Sequence, residues 1–122
     1  MILLDANYIL RFLIKDNENM FEISKKSIIN NDCFILNEVL AEVVFVLLKV
    51  YKVKKIEITS ILVEFLEFDN IFMDTKDEMI KALYLFESKN IDFVDSILCV
   101  KSKKYKVKTF DKKLNKCFEN IN

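Results

Sequence analysis

Short apolar runs separated by amphipathic segments predict an α/β fold on a mainly parallel sheet, and 122 residues suit a single domain, 1–122. Ile2–Leu4, Cys33–Leu36 and Ile71–Met73 are short apolar runs of strand length, and Val107–Phe110 is read as a further short strand. The segments between them repeat apolar residues at helical spacing, and parallel strands require such crossovers and are then buried on both faces.

Ile2–Leu4 is the first strand, followed by a helix over Tyr8–Ile14 in which Arg11 lies among apolar positions. A second amphipathic helix covers Met20–Ile29 and stops at Asn30-Asn31-Asp32, whose side chains favour a turn. After the strand Cys33–Leu36, Asn37 is a candidate cap for a helix reaching Tyr51, and Lys55–Phe68 supplies the other arm of a helical hairpin. Ile71–Met73 is the third strand, Lys76–Ser88 and Asp92–Lys104 are helices, Val107–Phe110 is the last strand and a final helix follows. The order is β-α-α-β-α-α-β-α-α-β-α.

Composition narrows the chemistry. With 52% hydrophobic and 31% charged residues the chain is globular, and eleven Phe join Ile, Leu and Val in its core. The absence of His removes imidazole catalysis and Ser-His or Cys-His pairs, and the absence of Gly and Pro removes a glycine-rich phosphate loop. Turns fall to Asn, Asp and Lys, the first two tolerating left-handed angles best after Gly. Cys33, Cys99 and Cys117 are odd in number and widely spaced, which predicts free thiols in a reducing compartment.

Basic and acidic residues balance at 19 each, so nucleic acid would be drawn only by local patches. The apolar stretch Val43–Leu48 is closed by Glu42 and Lys49, far short of a membrane span, and the opening residues lack a basic lead-in. The expectation is a cytoplasmic protein with no membrane segment.

Four carboxylates stand out against this background. Asp5 follows the first strand and Asp111 the last, so parallel strands would place both on the rim where ligands bind in such sheets. Each taken alone is also an ordinary turn former or helix cap. Glu42 interrupts an otherwise apolar helix that should be largely buried, and a buried carboxylate needs a cation; the alternative is an exposed stripe with Glu38 and Lys49. Asp95 and Asp92 break the start of another apolar helix, Asp92 serving equally well as N-cap or site acid. Gathered carboxylates repel, and Mg²⁺ or Mn²⁺ is the natural remedy, able to support phosphodiester hydrolysis without histidine.

Leu4-Asp5-Ala6-Asn7-Tyr8-Ile9-Leu10, Val39-Leu40-Ala41-Glu42, Asp92-Phe93-Val94-Asp95 and Thr109-Phe110-Asp111, in this order, give the chain a resemblance to PIN-domain ribonucleases over nearly its whole length. It is most similar in pattern to the VapC toxins of bacterial and archaeal toxin–antitoxin pairs. The resemblance implies a PIN-like three-layer α/β/α sandwich with a short, mainly parallel central sheet. It implies that Asp5, Glu42, Asp95 and Asp111 form a catalytic, metal-binding quartet for Mg²⁺ or Mn²⁺, with Asn7, Asp92 and Thr109 in support. Ala6 departs from the family's usual Thr or Ser, losing a hydroxyl but no ligand. Also implied are an RNA substrate such as tRNA, a homodimer and a cognate antitoxin protein.

Lys101, Lys103, Lys104, Lys106 and Lys108, with Lys112, Lys113 and Lys116, form a basic stretch suited either to phosphate contact or to simple solvation. The helices at Val39–Leu48 and Ile58–Phe68 carry apolar surface beyond what a small domain easily buries, as a dimer or antitoxin groove would. Two other functions are weighed: a phosphoacceptor receiver using Asp74 and Lys108, which leaves Glu42 and Asp95 unused, and a PIN-like module that binds RNA or protein without cutting.

Overall fold

Ile2–Leu3, Cys33–Phe34 and Ile71–Phe72 become strands β1, β2 and β3 in a computed structural model that describes residues 1–121. They pair in parallel in the order β1-β2-β3, with Ile2, Cys33 and Ile71 in one register row and Leu3, Phe34 and Phe72 in the next. The ladder continues through Leu4 N–H to the Phe34 carbonyl at 3.2 Å and Ile35 N–H to the Phe72 carbonyl at 2.9 Å. Alternation decides burial: Leu4, Cys33, Ile35, Ile71 and Met73 face the core, whereas Leu3 and Phe72 on the other face are 67% and 41% exposed.

Ten elements are formed among the described residues, and they fall into two compact units, Met1–Asp74 and Thr75–Asn122. In the first unit, α1 (Ala6–Ile14), α2 (Glu18–Asn30), α3 (Asn37–Lys49) and α4 (Lys55–Leu66) connect the strands. Asn17 caps α2 by accepting the Met20 N–H at 3.0 Å. Leu40, Val43, Val44 and Leu47 of α3 and Ile58, Leu62, Phe65 and Leu66 of α4 recur at helical spacing and are buried, each contributing about 1.5–3 kcal/mol of transfer free energy. Asn37 is the first residue of α3 rather than its cap; Leu36 holds the cap position and makes no side-chain bond.

The second unit is helical: α5 (Lys76–Ser88), α6 (Phe93–Lys101) and α7 (Lys112–Asn120). Met79, Ala82, Leu83 and Phe86 of α5 are buried, and Phe86 meets Phe93 of α6 edge to face with centroids 6.0 Å apart. Lys101 donates to Glu78 at 2.8 Å, joining α6 to α5, and Lys104 adds a second contact at 3.3 Å.

Three expectations are corrected. Val107–Phe110 is not a strand: Val107 and Thr109 are only half-buried and Phe110 is exposed, so this segment lacks the buried apolar row that fixes β1 to β3. The cysteines are not all free, since Cys99 and Cys117 form a disulfide and only Cys33 remains a buried thiol. Packing of α7 on α6 brings the two Cα atoms to 6.1 Å despite a sequence separation of 18, within disulfide reach. Among the described residues the left-handed backbone positions belong to Lys15, Lys52 and Thr75; Lys is among the expected turn formers, Thr is not. None of the described helices is long and apolar enough to cross a membrane.

Candidate functional site

Strand β1 ends at Leu3, the chain leaves the ladder at Leu4, and Asp5 turns it into α1. Its extended backbone (φ −88°, ψ 172°) places Oδ1 to accept the Tyr8 N–H at 2.8 Å, as an N-cap does. The carboxylate is exposed and has its second oxygen for another partner. It lines a shallow hollow of about 380 Å³ with Ile2, Leu3, Leu4 and Tyr8. Asn7 is exposed in the first turn of the same helix. Tyr8 and Ser27 share a 2.7 Å hydrogen bond that fixes α1 on α2, and Arg11 is paired with Asp16 at 2.9 Å.

Glu42 is not buried. The buried stripe of α3 runs through Leu40, Val43, Val44 and Leu47, and Glu42 falls on the opposite side with Glu38, Phe45 and Lys49, all exposed. The expectation that desolvation forces a cation on this side chain is therefore corrected, and the alternative of an exposed stripe with Glu38 and Lys49 holds, because apolar neighbours in sequence are not apolar neighbours around a helix. Asn37, opening the same helix, has its Oδ1 buried without a hydrogen-bond partner. From the sequence Asn37 is a candidate cap and nothing more.

In the second unit the acids influence one another. Asp92 is the N-cap of α6, its Oδ1 accepting the Asp95 N–H at 2.8 Å, while Ser96, fully buried, donates from Oγ to the Asp92 carbonyl at 2.9 Å. Asp95 is half-buried in the first turn, and its carboxyl pKa is pushed above the usual value by burial first, then by the charges of Asp92 and Asp111. Asp111 caps α7 through Leu114 N–H at 3.0 Å. The loop before it is fastened twice: Asp111 donates its N–H to Thr109 Oγ1 at 3.1 Å, and Asn115 Nδ2 donates to the Thr109 carbonyl at 3.1 Å. Thr109 thus supports Asp111 through the backbone, and Asn115, six residues on, is a helper that no spacing rule singles out.

Asp5, Asp92 and Asp111 accordingly all serve as helix caps, while Asp95 is the acid whose surroundings disfavour its charged form. Within neither unit do the described residues gather three or more acidic or cysteine side chains closely enough to hold a metal ion. The donor set in the second unit is nonetheless all carboxylate, and a half-buried acid whose pKa is raised by burial and then by two neighbouring carboxylates suits a hard cation with oxygen ligands. Softer metals do not fit: Cys99 and Cys117 are consumed in the disulfide, and burial, followed by Asp32, raises the pKa of Cys33 and disfavours its thiolate.

Of the basic stretch, Lys101 and Lys104 are engaged by Glu78, while Lys103, Lys106, Lys108, Lys112, Lys113 and Lys116 are exposed. Asp74 is exposed beyond β3.

A family model described as PIN domain matches residues 2–118, across both units. No curated protein and no solved structure matches the chain.

Proposed function

Because the chain belongs to the PIN domain family, whose members are generally metal-dependent nucleases, we propose that it is an endoribonuclease that hydrolyses RNA with Mg²⁺ or Mn²⁺. One observation carries this reading beyond the family. Asp95 is held half-buried at the start of a helix, and burial and the carboxylates of Asp92 and Asp111 make its own charge unfavourable. A divalent cation would offset that cost.

Asp95 and Asp111 would hold the metal, with Asp5 and Glu42 completing the quartet that the sequence motifs imply. When bound, Mg²⁺ or Mn²⁺ supplies Lewis acidity and an acidified water for phosphodiester hydrolysis. The capping bonds at Asp5 and Asp111 engage one carboxylate oxygen each and fix the direction of the other. Thr109 and Asn115 hold the Asp111 loop in place, Asn7 stands beside Asp5 in sequence, and Asp92 adds charge next to Asp95. The exposed lysines from Lys103 to Lys116 supply phosphate contacts for RNA.

The finer assignment is a VapC-like toxin in the cytoplasm, acting as a homodimer and silenced by a cognate antitoxin. An open groove of about 440 Å³ lined by Phe12, Leu13, Phe21, Ile61, Phe65 and Phe68 supports a protein partner. The three-layer α/β/α sandwich, with residues 1–122 working as one nuclease domain, rests on the family assignment. The family match leaves the receiver reading of Asp74 without support, and the unfavourable charge of Asp95, which a bound cation would relieve, favours a cutting over a non-cleaving module.

The test is cleavage of total RNA by purified protein with Mg²⁺ or Mn²⁺, compared with Asp95→Asn and Glu42→Gln. Glu42 is exposed, so its substitution should change stability by less than about 0.5 kcal/mol. Loss of cutting in both variants with the fold intact supports the proposal; equal cutting by all three proteins contradicts it.

A further inference from the structure

The Cys99–Cys117 disulfide joins the two helices that carry Asp95 and Asp111. Helix α7 is weakly anchored otherwise. Leu114 is its only fully buried residue, with Cys117 and Phe118 half-buried, and its first turn holds Lys112 and Lys113 where the helix dipole favours acids. Cys99 is fully buried, but Cys117 lines an open cavity of about 510 Å³ together with Leu85, Ile91, Lys113 and Lys116. Cys117, half-buried on that cavity, is thus the more accessible partner of the pair, and the lysine charges lining the same cavity favour an incoming thiolate.

We propose that Cys99–Cys117 is a thiol–disulfide exchange site at which a dithiol reductant unlocks α7 and thereby uncouples Asp111 from Asp95. The reductant's thiolate attacks Cys117 Sγ, forming a mixed disulfide and expelling the Cys99 sulfur, which takes a proton to become a buried thiol. The reductant's second thiol then attacks its own sulfur in the mixed disulfide and releases Cys117 as a thiol. The protein gains two electrons and two protons, and the reductant leaves as a disulfide. With the cross-link gone, α7 depends on Leu114 and half-buried neighbours, and its N-cap Asp111 moves with it. The consequence for catalysis rests on the assignment of Asp95 and Asp111 as metal-holding acids.

The experiment compares the full chain oxidised, reduced with dithiothreitol, and reoxidised. Thiol alkylation with mass spectrometry reads the covalent state, amide hydrogen exchange reads α7 against α5, and RNA cleavage with Mn²⁺ reads activity. Reduction under native conditions should speed exchange across α7 at least about tenfold while α5 is unchanged, and should lower cleavage, both reversing on reoxidation. A Cys99→Ser/Cys117→Ser chain should behave as the reduced protein does, indifferent to dithiothreitol; if it does not fold, the reduction and reoxidation of the wild type still decide. A disulfide that resists dithiothreitol in the folded chain, or α7 exchange and cleavage equal in both redox states, overturns the proposal. Asp95→Asn separates the two ideas: wild-type cutting by that variant sinks the metal-site assignment, and α7 exchange still determines whether the lock exists.

Discussion

Asp92 Oδ1 accepts the Asp95 backbone N–H at 2.8 Å, so the side chain that starts α6 also brings its charge next to the carboxylate three positions later. Capping and charge can be separated by substitution. Asp92→Ala removes both and should cost about 1 kcal/mol of stability. Asp92→Asn keeps an acceptor for the cap, so stability should hold while the pKa of Asp95 falls. Thermal denaturation and an NMR titration of the Asp95 carboxyl carbon check the pair, and equal destabilisation by both substitutions would contradict the capping role.

Much of the fold is legible from the chain itself. Ile2, Cys33 and Ile71 announce strands because three apolar runs recur between helical segments, and the parallel order follows from those crossovers. Asp5, Asp92 and Asp111 are recognisable as helix starts from residue type alone, and each does cap its helix. What remained hidden depends on the third dimension. Glu42 lies among apolar residues in sequence yet projects from the exposed side of α3, which only its phase relative to Leu40, Val43 and Leu47 reveals. Cys99 and Cys117 become partners only once α7 lies on α6, and Asn115 becomes a support for Thr109 only once the loop closes. Val107–Phe110 has strand-like composition, but residue type does not say whether a run will find a ladder partner.

The raised pKa of Asp95 gives stability a defined dependence on pH. Below the unfolded carboxyl value, about 3.9, the group is neutral in both states and costs nothing. As pH rises through that value and on through the higher folded one, the folded state is penalised increasingly, and the penalty is complete above the folded pKa. Asp95→Asn should therefore raise the melting temperature near about pH 7 and leave it unchanged near about pH 3. Mg²⁺ or Mn²⁺ should narrow the gap at neutral pH by stabilising the wild type more than the variant. A variant less stable than wild type at neutral pH without metal would contradict this account.

Lys15, at φ 61°, and Lys52, at φ 57°, occupy left-handed positions where a Cβ is unfavourable. Replacing either with Gly removes that strain, partly offset by the greater freedom of the unfolded chain, for a net gain of about 0.5 kcal/mol. Urea denaturation should show a higher midpoint with an unchanged slope for Lys15→Gly, and no gain for Lys15→Ala. A lower midpoint for the Gly variant would show that Lys15 contributes contacts worth more than its backbone strain.

The most direct measurement is a crystal of the protein grown with Mn²⁺ and examined by anomalous diffraction. A manganese peak in contact with the carboxylate of Asp95, with Asp5, Glu42 and Asp111 supplying the remaining acid groups directly or through water, is the predicted result. A fully occupied peak away from all four acids, or none at saturating Mn²⁺, would contradict the claim that these side chains make up a metal seat.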